Sequence, residues 1–130
     1  MSFGLRAIQN TLYMRNFKQL KIWQKGFEIA VNSFKLTSTF PKEEKYGLTS
    51  QITRSAVSIP SNVAEGSSRT SNKDYSRFIE ISLGSSFELE TQVLIANAVN
   101  FGQKEIRDTI LKDIDEEQKM LMSFMNKLNS

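Results

Sequence analysis

Residues 55–69, SAVSIPSNVAEGSSR, combine the spacing of a helix with the composition of a loop. Apolar side chains recur at i, i+4, i+7 and i+11, on one face of an amphipathic helix: Ile52, Ala56, Ile59 and Val63. Pro60 lies among them, although a proline inside a helix removes a backbone hydrogen bond and crowds the preceding turn. Because the apolar spacing continues through the proline, we expect one helix that bends at Pro60. The alternative is a break, with Pro60 starting a new helix.

The same helical period extends in both directions and predicts an all-α protein. Four helices are expected: residues 20–38, 42–68, from Ser71 to about Gly102, and 104–128. Short connections make neighbouring helices antiparallel, so we expect an up-down-up-down four-helix bundle. Residues 17–130 form the bundle domain, and the weakly patterned residues 1–16 form an N-terminal extension, either a frayed arm or a short accessory helix.

Particular residues are expected to start, end and fill these helices. Ser71 and Asp74 have the spacing of a capping box at the start of the third helix. Gly102 is placed to end that helix as its C′ residue. In the first helix, core spacing assigns three aromatic residues to the hydrophobic core rather than to a base-stacking surface: Trp23, Phe27 and Phe34.

Composition excludes several classes of chemistry. The 130 residues contain neither cysteine nor histidine, which removes disulfides, thiolate and Ser/His/Asp catalysis, and the commonest metal ligand. Glu88 and Glu90 point about 200° apart on a helix, so they cannot hold one ion even with Glu65 as a third ligand. No glycine-rich phosphate loop is present. We therefore predict no enzymatic activity, no metal and no cofactor.

The sequence also predicts where the protein is located. No stretch approaches the roughly 18 uninterrupted apolar residues of a membrane-spanning helix, and no secretory signal follows Met1. The expected location is the cytoplasm. The acid-free N-terminal segment, with Leu5, Ile8 and Leu12, offers one alternative, a short helix that lies on a membrane surface.

The net charge of +3 is unevenly distributed along the chain. Residues 1–77 carry twelve Lys/Arg and five Asp/Glu, net +7, whereas residues 78–130 carry five and nine, net −4. Clustered cations suit the phosphates of nucleic acid with little sequence specificity, and an ordinary solvated surface is the alternative. The candidate phosphate-contacting residues are Arg15, Lys18, Lys21, Lys25, Arg69, Lys73 and Arg77.

The second and third helices can be aligned about a turn centred near Ser71. Residues equally far from the turn then face each other: Arg54 with Glu88, Glu65 with Arg77, and Ser58 with Gly84. The polar stripe beside the apolar face is either a solvated flank or a subunit interface, in which small residues let helices approach and paired charges set the register. The candidate assembly residues are Arg54, Ser58, Asn62, Glu65, Gly84 and Glu88.

Three runs suggest a family: FPKEE at 40–44, YGLTSQ at 46–51 and SIPSNVAEG at 58–66. With them, residues 17–128 resemble the bacterial four-helix-bundle proteins encoded by intervening sequences of 23S ribosomal RNA, relatives of the accessory protein of diversity-generating retroelements. The resemblance implies a ring, typically a homopentamer, that binds RNA or DNA without catalysis. It also implies an alternative. The protein would then be an adaptor for another protein, such as a reverse transcriptase, and would not itself bind nucleic acid.

Overall fold

The structure, a computed structural model, describes residues 16–130, and these form an all-α fold with no strand. Four helices are present, with a 3₁₀ turn before the first and another before the second: α1 Lys21–Thr37, α2 Leu48–Ser67, α3 Asn72–Ala98 and α4 Lys104–Asn129, with the turns at Phe17–Gln19 and Lys42–Glu44. Each helix packs on its sequence neighbour, and α4 packs back on α1. The predicted four-helix bundle is confirmed. The predicted N-terminal extension, apart from Asn16, lies outside the described residues.

Helix α2 runs without interruption through Pro60, so the alternative of a break at the proline is wrong. Polar side chains satisfy carbonyls around it: the Ser82 hydroxyl donates to the Ile59 carbonyl at 2.8 Å, and the Asn62 amide donates to the Ser58 carbonyl at 2.8 Å. Side chains on the same and the neighbouring helix thus add donors to two carbonyls beside the proline, while the carbonyl that Pro60 itself leaves without an N–H donor is that of Ala56. The bend itself stays a prediction.

The start of α2 lies later than the sequence predicted. Residues 42–44 form a separate 3₁₀ turn, and Gly47 adopts a non-helical conformation before α2 begins at Leu48. The Glu44 carboxylate accepts a hydrogen bond from the Leu48 backbone N–H at 3.2 Å. A side chain from the preceding turn thus satisfies one of the unpaired N–H groups at the helix start.

The caps of α3 separate a confirmed prediction from a wrong one. The Ser71 hydroxyl accepts from the Asp74 backbone N–H at 3.1 Å, as predicted. The C′ residue is Asn100, with φ of 59°, and the N–H of Phe101 bonds to the carbonyl of Ala96 at 2.8 Å. Gly102 lies two residues further along the loop, also at positive φ. Glycine is needed there because a Cβ would collide with the side chains of Leu36 and Phe40.

The core has two continuous halves that span all four helices. The half nearer the α2–α3 turn contains Leu20, Ile22, Val63, Tyr75, Ile79, Leu121 and Leu128. The half nearer the α1–α2 and α3–α4 connections contains Ile29, Ala30, Leu36, Phe40, Ile52, Ala56, Ile59, Leu89, Val93, Ala96, Ile110 and Ile114. The apolar face of α2, formed by Ile52, Ala56, Ile59 and Val63, is therefore completely buried.

The prediction that the aromatic residues of α1 fill the core is wrong for Phe27 and Phe34, whereas Trp23 packs against the edge of the core. Phe27 is 52% exposed, Phe34 is 55% exposed and Trp23 is only partly buried. The core face of α1 is carried instead by Ile22, Ile29 and Leu36, with Gly26 and Ser33 between them. Helix α1 has two apolar stripes. The buried stripe includes the small residues Gly26 and Ser33, so in the sequence it looks less hydrophobic than the exposed aromatic stripe.

Candidate functional site

The antiparallel arrangement brings distant parts of the chain to one end of the bundle. The start of α1, the α2–α3 turn and the end of α4 all lie there, joined by the shared buried cluster that contains Leu20, Tyr75 and Leu128. We call this the basic end and define it as residues 16–25, 62–80 and 118–130.

Charge is strongly separated along the bundle. The basic end carries eight Lys/Arg and three Asp/Glu, net +5, whereas the other described residues, 26–61 and 81–117, carry seven and eleven, net −4. A concentration of one sign at one end produces a local potential that the modest net charge of the whole chain conceals.

The structure brings together five of the seven candidate cations as an exposed or partly exposed group: Lys18, Lys21, Arg69, Lys73 and Arg77. Of the ion pairs within residues 16–130, none involves Lys18, Lys21 or Lys73. These three ammonium groups are therefore available for phosphate contacts. Arg15 lies outside the described residues.

The two arginines of the group have partners close in sequence. The Arg69 guanidinium lies 2.6 Å from the Glu65 carboxylate and stacks on the Phe78 ring, 4.6 Å from its centroid. The Arg77 guanidinium lies 3.9 Å from the Asp74 carboxylate. The predicted pair of Glu65 with Arg77 is wrong, because each side chain has a partner three or four residues away on its own chain segment.

Lys25 lies at the inner boundary of the basic end, and its ammonium pairs with carboxylates of α4 just outside that end. Its ammonium lies 3.1 Å from Glu116 and 3.4 Å from Asp113, at the contact of α1 with α4. The hydrogen bond to Glu116 raises the pKa of Lys25, partial burial opposes this rise, and the charge of Asp113 adds to it. Because two carboxylates already balance its charge, Lys25 is a poor candidate for phosphate binding.

Sequence reasoning missed Lys127 as a cation of the basic end. It is exposed in the last turn of α4, one residue before the buried Leu128. Only the return of α4 to the start of α1 reveals that this distant residue lies at the same end of the bundle as Lys18 and Lys21.

Near Pro60, the contact between α2 and α3 follows the predicted alignment to within one residue, whereas the bond of Ser55 to Gln92 lies five residues from it. The Ser58 hydroxyl lies 2.7 Å from the Ser85 hydroxyl rather than against Gly84, and the Ser55 hydroxyl donates to the Gln92 amide oxygen at 2.6 Å. Arg54 and Glu88 line one polar groove of about 430 Å³ beside this contact, but they do not form one of the ion pairs of the described chain.

Gly84 lies on an exposed apolar surface of α3. A Cβ added to Gly84 would meet no atom within 4 Å, so the predicted contact of Gly84 with α2 is wrong within the chain. We define the α3 ridge as Gly84 with four large apolar side chains that are each nearly half exposed: Ile81, Phe87, Leu94 and Ile95. An apolar surface of this kind on a soluble protein commonly marks an interaction site.

A second exposed apolar surface lies between α1 and α2. It is a groove of about 390 Å³, the aromatic groove, lined by Trp23, Phe27, Ala30, Val31, Phe34, Val57, Pro60, Ser61 and Ala64. The rings of Trp23 and Phe27 stack with centroids 5.2 Å apart. The aromatic residues predicted for the core thus form a surface.

Glu117 is fully buried, and neither of its carboxyl oxygens has a hydrogen-bond partner within the described chain. Burial raises the pKa of Glu117 to about 9, and the charge of Lys25 opposes this shift. The group is therefore neutral at pH 7. A sequence signal existed, because Glu117 occupies the i+7 position of a core stripe that contains Ile110, Ile114 and Leu121.

Glu65 and Glu90, two of the carboxylates considered from the sequence as ligands of one ion, have different partners. Glu90 accepts a hydrogen bond from the Gln118 amide at 2.9 Å, while Glu65 is paired with Arg69. Across residues 16–130, no group of three or more carboxylates is arranged to hold a metal ion. Over the same residues, no helix combines the length and the apolar character needed to cross a bilayer.

These features define an all-α four-helix bundle with one basic end and two exposed apolar surfaces. Residues 18–123 match the model of a family described as 23S rRNA-intervening sequence protein, and the chain belongs to that family. No curated protein sequence matches the chain.

A solved structure from Bacteroides thetaiotaomicron is similar to the chain. It is described as a protein of unknown function from the S23 ribosomal protein family. It is 26% identical in sequence, with a TM-score of 0.73, and the match covers 81% of this chain and 95% of that one. The shared bundle thus extends over nearly all of the relative.

Proposed function

We propose that this protein is a non-enzymatic, ring-forming nucleic-acid-binding protein that contacts phosphates through the basic end of its bundle. The observation that carries the proposal is the concentration of a net +5 in residues 16–25, 62–80 and 118–130, while the remainder of the described chain is net negative. The family name, which refers to ribosomal RNA, is consistent with an RNA partner.

Binding of this kind depends on the number of phosphate contacts rather than on base-edge hydrogen bonds. The exposed lysines Lys18, Lys21 and Lys73 supply the contacts, and Arg69 and Arg77 extend the surface. We expect weak sequence specificity and a strong dependence on salt concentration.

Assembly multiplies these contacts. A pentamer of chains that each carry +3 has a total charge of about +15. Copies that present the same basic end to one polyanion gain avidity without any new type of contact.

The α3 ridge supports self-association. Gly84, one turn from both Ile81 and Phe87, allows a partner helix to approach closely, and Phe87 and Leu94 supply apolar area to bury. We propose that the interface includes this ridge and the polar groove beside it, with the candidate assembly residues Arg54, Ser58, Asn62, Glu65, Gly84 and Glu88.

The test compares two charge reversals of equal size. We expect Lys21→Glu/Lys73→Glu to weaken binding of structured RNA and duplex DNA by at least about tenfold at low salt, and to reduce the salt slope by about two phosphate contacts. The control Lys35→Glu/Lys42→Glu changes two exposed lysines outside the basic end by the same charge. Equal losses in both variants would show that general attraction, not the basic end, causes binding.

The α3 ridge also favours a second candidate function, an adaptor that binds a protein such as a reverse transcriptase without touching nucleic acid. Its apolar side chains are suited to a protein surface rather than to phosphates. In that case the chain shows no salt-dependent nucleic-acid binding, whereas Phe87→Glu abolishes capture of the protein partner and Lys21→Glu/Lys73→Glu leaves it unchanged.

A further inference from the structure

The aromatic groove leaves a large apolar area in contact with water. Phe27, Val31, Phe34 and Val57 are each between 40% and 55% exposed. Covering such an area is favourable by about 25 cal/mol per Å² of apolar surface. An apolar occupant of the groove would therefore stabilise the protein.

The described chain begins at one end of this groove. The 3₁₀ turn Phe17–Gln19 contacts both α1 and α2, the two helices that form the groove. The Phe17 ring packs edge-on against Trp23 with centroids 5.4 Å apart, and the Gln24 amide donates to the Lys18 carbonyl at 2.9 Å. Anything that precedes Asn16 is thereby tethered at the mouth of the groove.

Residues 1–15 match the groove in length and character. As a helix they would span about 22 Å, whereas Trp23 and Phe34 lie about 16 Å apart along α1. Leu5, Ile8 and Leu12 recur at i, i+3 and i+7, on one face of such a helix. Asn16 has φ of −86° and ψ of 82°, a non-helical conformation that allows the segment to change direction there.

We propose that residues 1–15 dock as a short helix in the aromatic groove of their own chain, with Leu5, Ile8 and Leu12 against Phe27, Val31 and Phe34. The occupant comes from the same chain because no linker separates it from the anchored turn. Its effective concentration at the groove therefore far exceeds that of a second copy. Docking covers the stripe of α1 that the bundle leaves exposed, and it is independent of nucleic-acid binding.

The chain contains one tryptophan, and it lines the groove, so its fluorescence reports on the occupant. We expect Ile8→Glu/Leu12→Glu in the full chain to shift Trp23 emission to longer wavelength and to raise its acrylamide quenching constant by about twofold. The matched control Ala7→Glu/Asn10→Glu adds the same charge on the opposite face and leaves both unchanged. Equal behaviour of the two variants would overturn the proposal.

Dilution identifies the occupant. A segment docked in its own chain protects Trp23 equally at every protein concentration, whereas protection that disappears on dilution would show that a second copy fills the groove. Because the chain has no cysteine, Ile8→Cys/Val57→Cys can be joined by a short bismaleimide. We expect one internally linked species of monomer mass, and less linkage in the control Asn10→Cys/Val57→Cys. A ladder of covalent multimers, or equal linkage in both, would contradict docking within the chain.

Discussion

Two opposite helix contacts of the bundle, α2 with α3 and α1 with α4, bury different kinds of polar group and satisfy their hydrogen bonds to different extents. Between α2 and α3, hydroxyls find partners across the contact, as Ser58 does with Ser85 and Ser82 with the Ile59 carbonyl. Between α1 and α4, Lys25 is balanced by two carboxylates, while Glu117 lies buried with no partner in the described chain. Neutral paired groups give a contact that is insensitive to pH, whereas a buried carboxyl makes stability depend on protonation.

The largest expected effect concerns Glu117. Between its ordinary pKa of 4.5 and its folded value of about 9, the folded chain keeps a proton that the unfolded chain releases. Stability is therefore greatest below about pH 4.5 with respect to this group, falls as pH rises, and stops falling above about pH 9. At the steepest the fall is about 1.4 kcal/mol per pH unit.

Glu117→Gln removes this titration while keeping a similar shape. We expect its urea midpoint to equal that of the wild type near pH 5 and to exceed it near pH 8. The control Glu80→Gln, at an exposed position, should retain the wild-type slope. If wild type and Glu117→Gln lose stability in parallel, Glu117 is not the buried acid responsible.

A pair of glycine substitutions comes next in size. A Cβ on Gly26 would lie 3.0 Å from the Glu117 carboxyl, 3.1 Å from Ile59 and 3.3 Å from the Pro60 nitrogen, so Gly26→Ala should destabilise by about 1–3 kcal/mol. Gly84→Ala meets open space and should stabilise the isolated chain by about 0.5–1 kcal/mol through helix propensity. Thermal unfolding at low concentration measures both, and a stabilising Gly26→Ala would contradict the close packing of α1 on α2 and α4.

The smallest effect tests the α2–α3 contact. Ser82→Ala removes the donor to the buried Ile59 carbonyl and should cost about 1 kcal/mol, equally at pH 5 and pH 8. In the control Ser86→Ala, the lost hydroxyl bonds only to the Leu83 carbonyl on its own helix, so the expected loss is smaller. Denaturant midpoints that fall equally in both variants would show that the interhelical bond contributes nothing of its own.

Local sequence patterns predicted the positions of the helices better than they predicted which side chains are exposed. The apolar spacing through Pro60, the Ser71 cap and the helix count all depend on residues within one or two turns, and the structure confirms each. The alignment of α2 with α3 is correct to within one residue near Pro60, because a short turn restricts the register, but it fails for Ser55 and for the Glu65–Arg77 pair. Phe27, Phe34 and Gly84 were misplaced because helical spacing does not say which of two apolar faces is turned inward.

By itself, the sequence determined that this chain forms four antiparallel helices, since period, caps and short connections are local properties of the chain. The family resemblance came from the runs at 40–44, 46–51 and 58–66, and the family model confirms it. Only the tertiary structure decided which residues share a surface. It placed Lys127 at the same end of the bundle as Lys18, paired Lys25 with two carboxylates of α4, and buried Glu117 beside Gly26. These outcomes depend on how each helix is rotated about its axis, which is set by packing against neighbours far away in sequence.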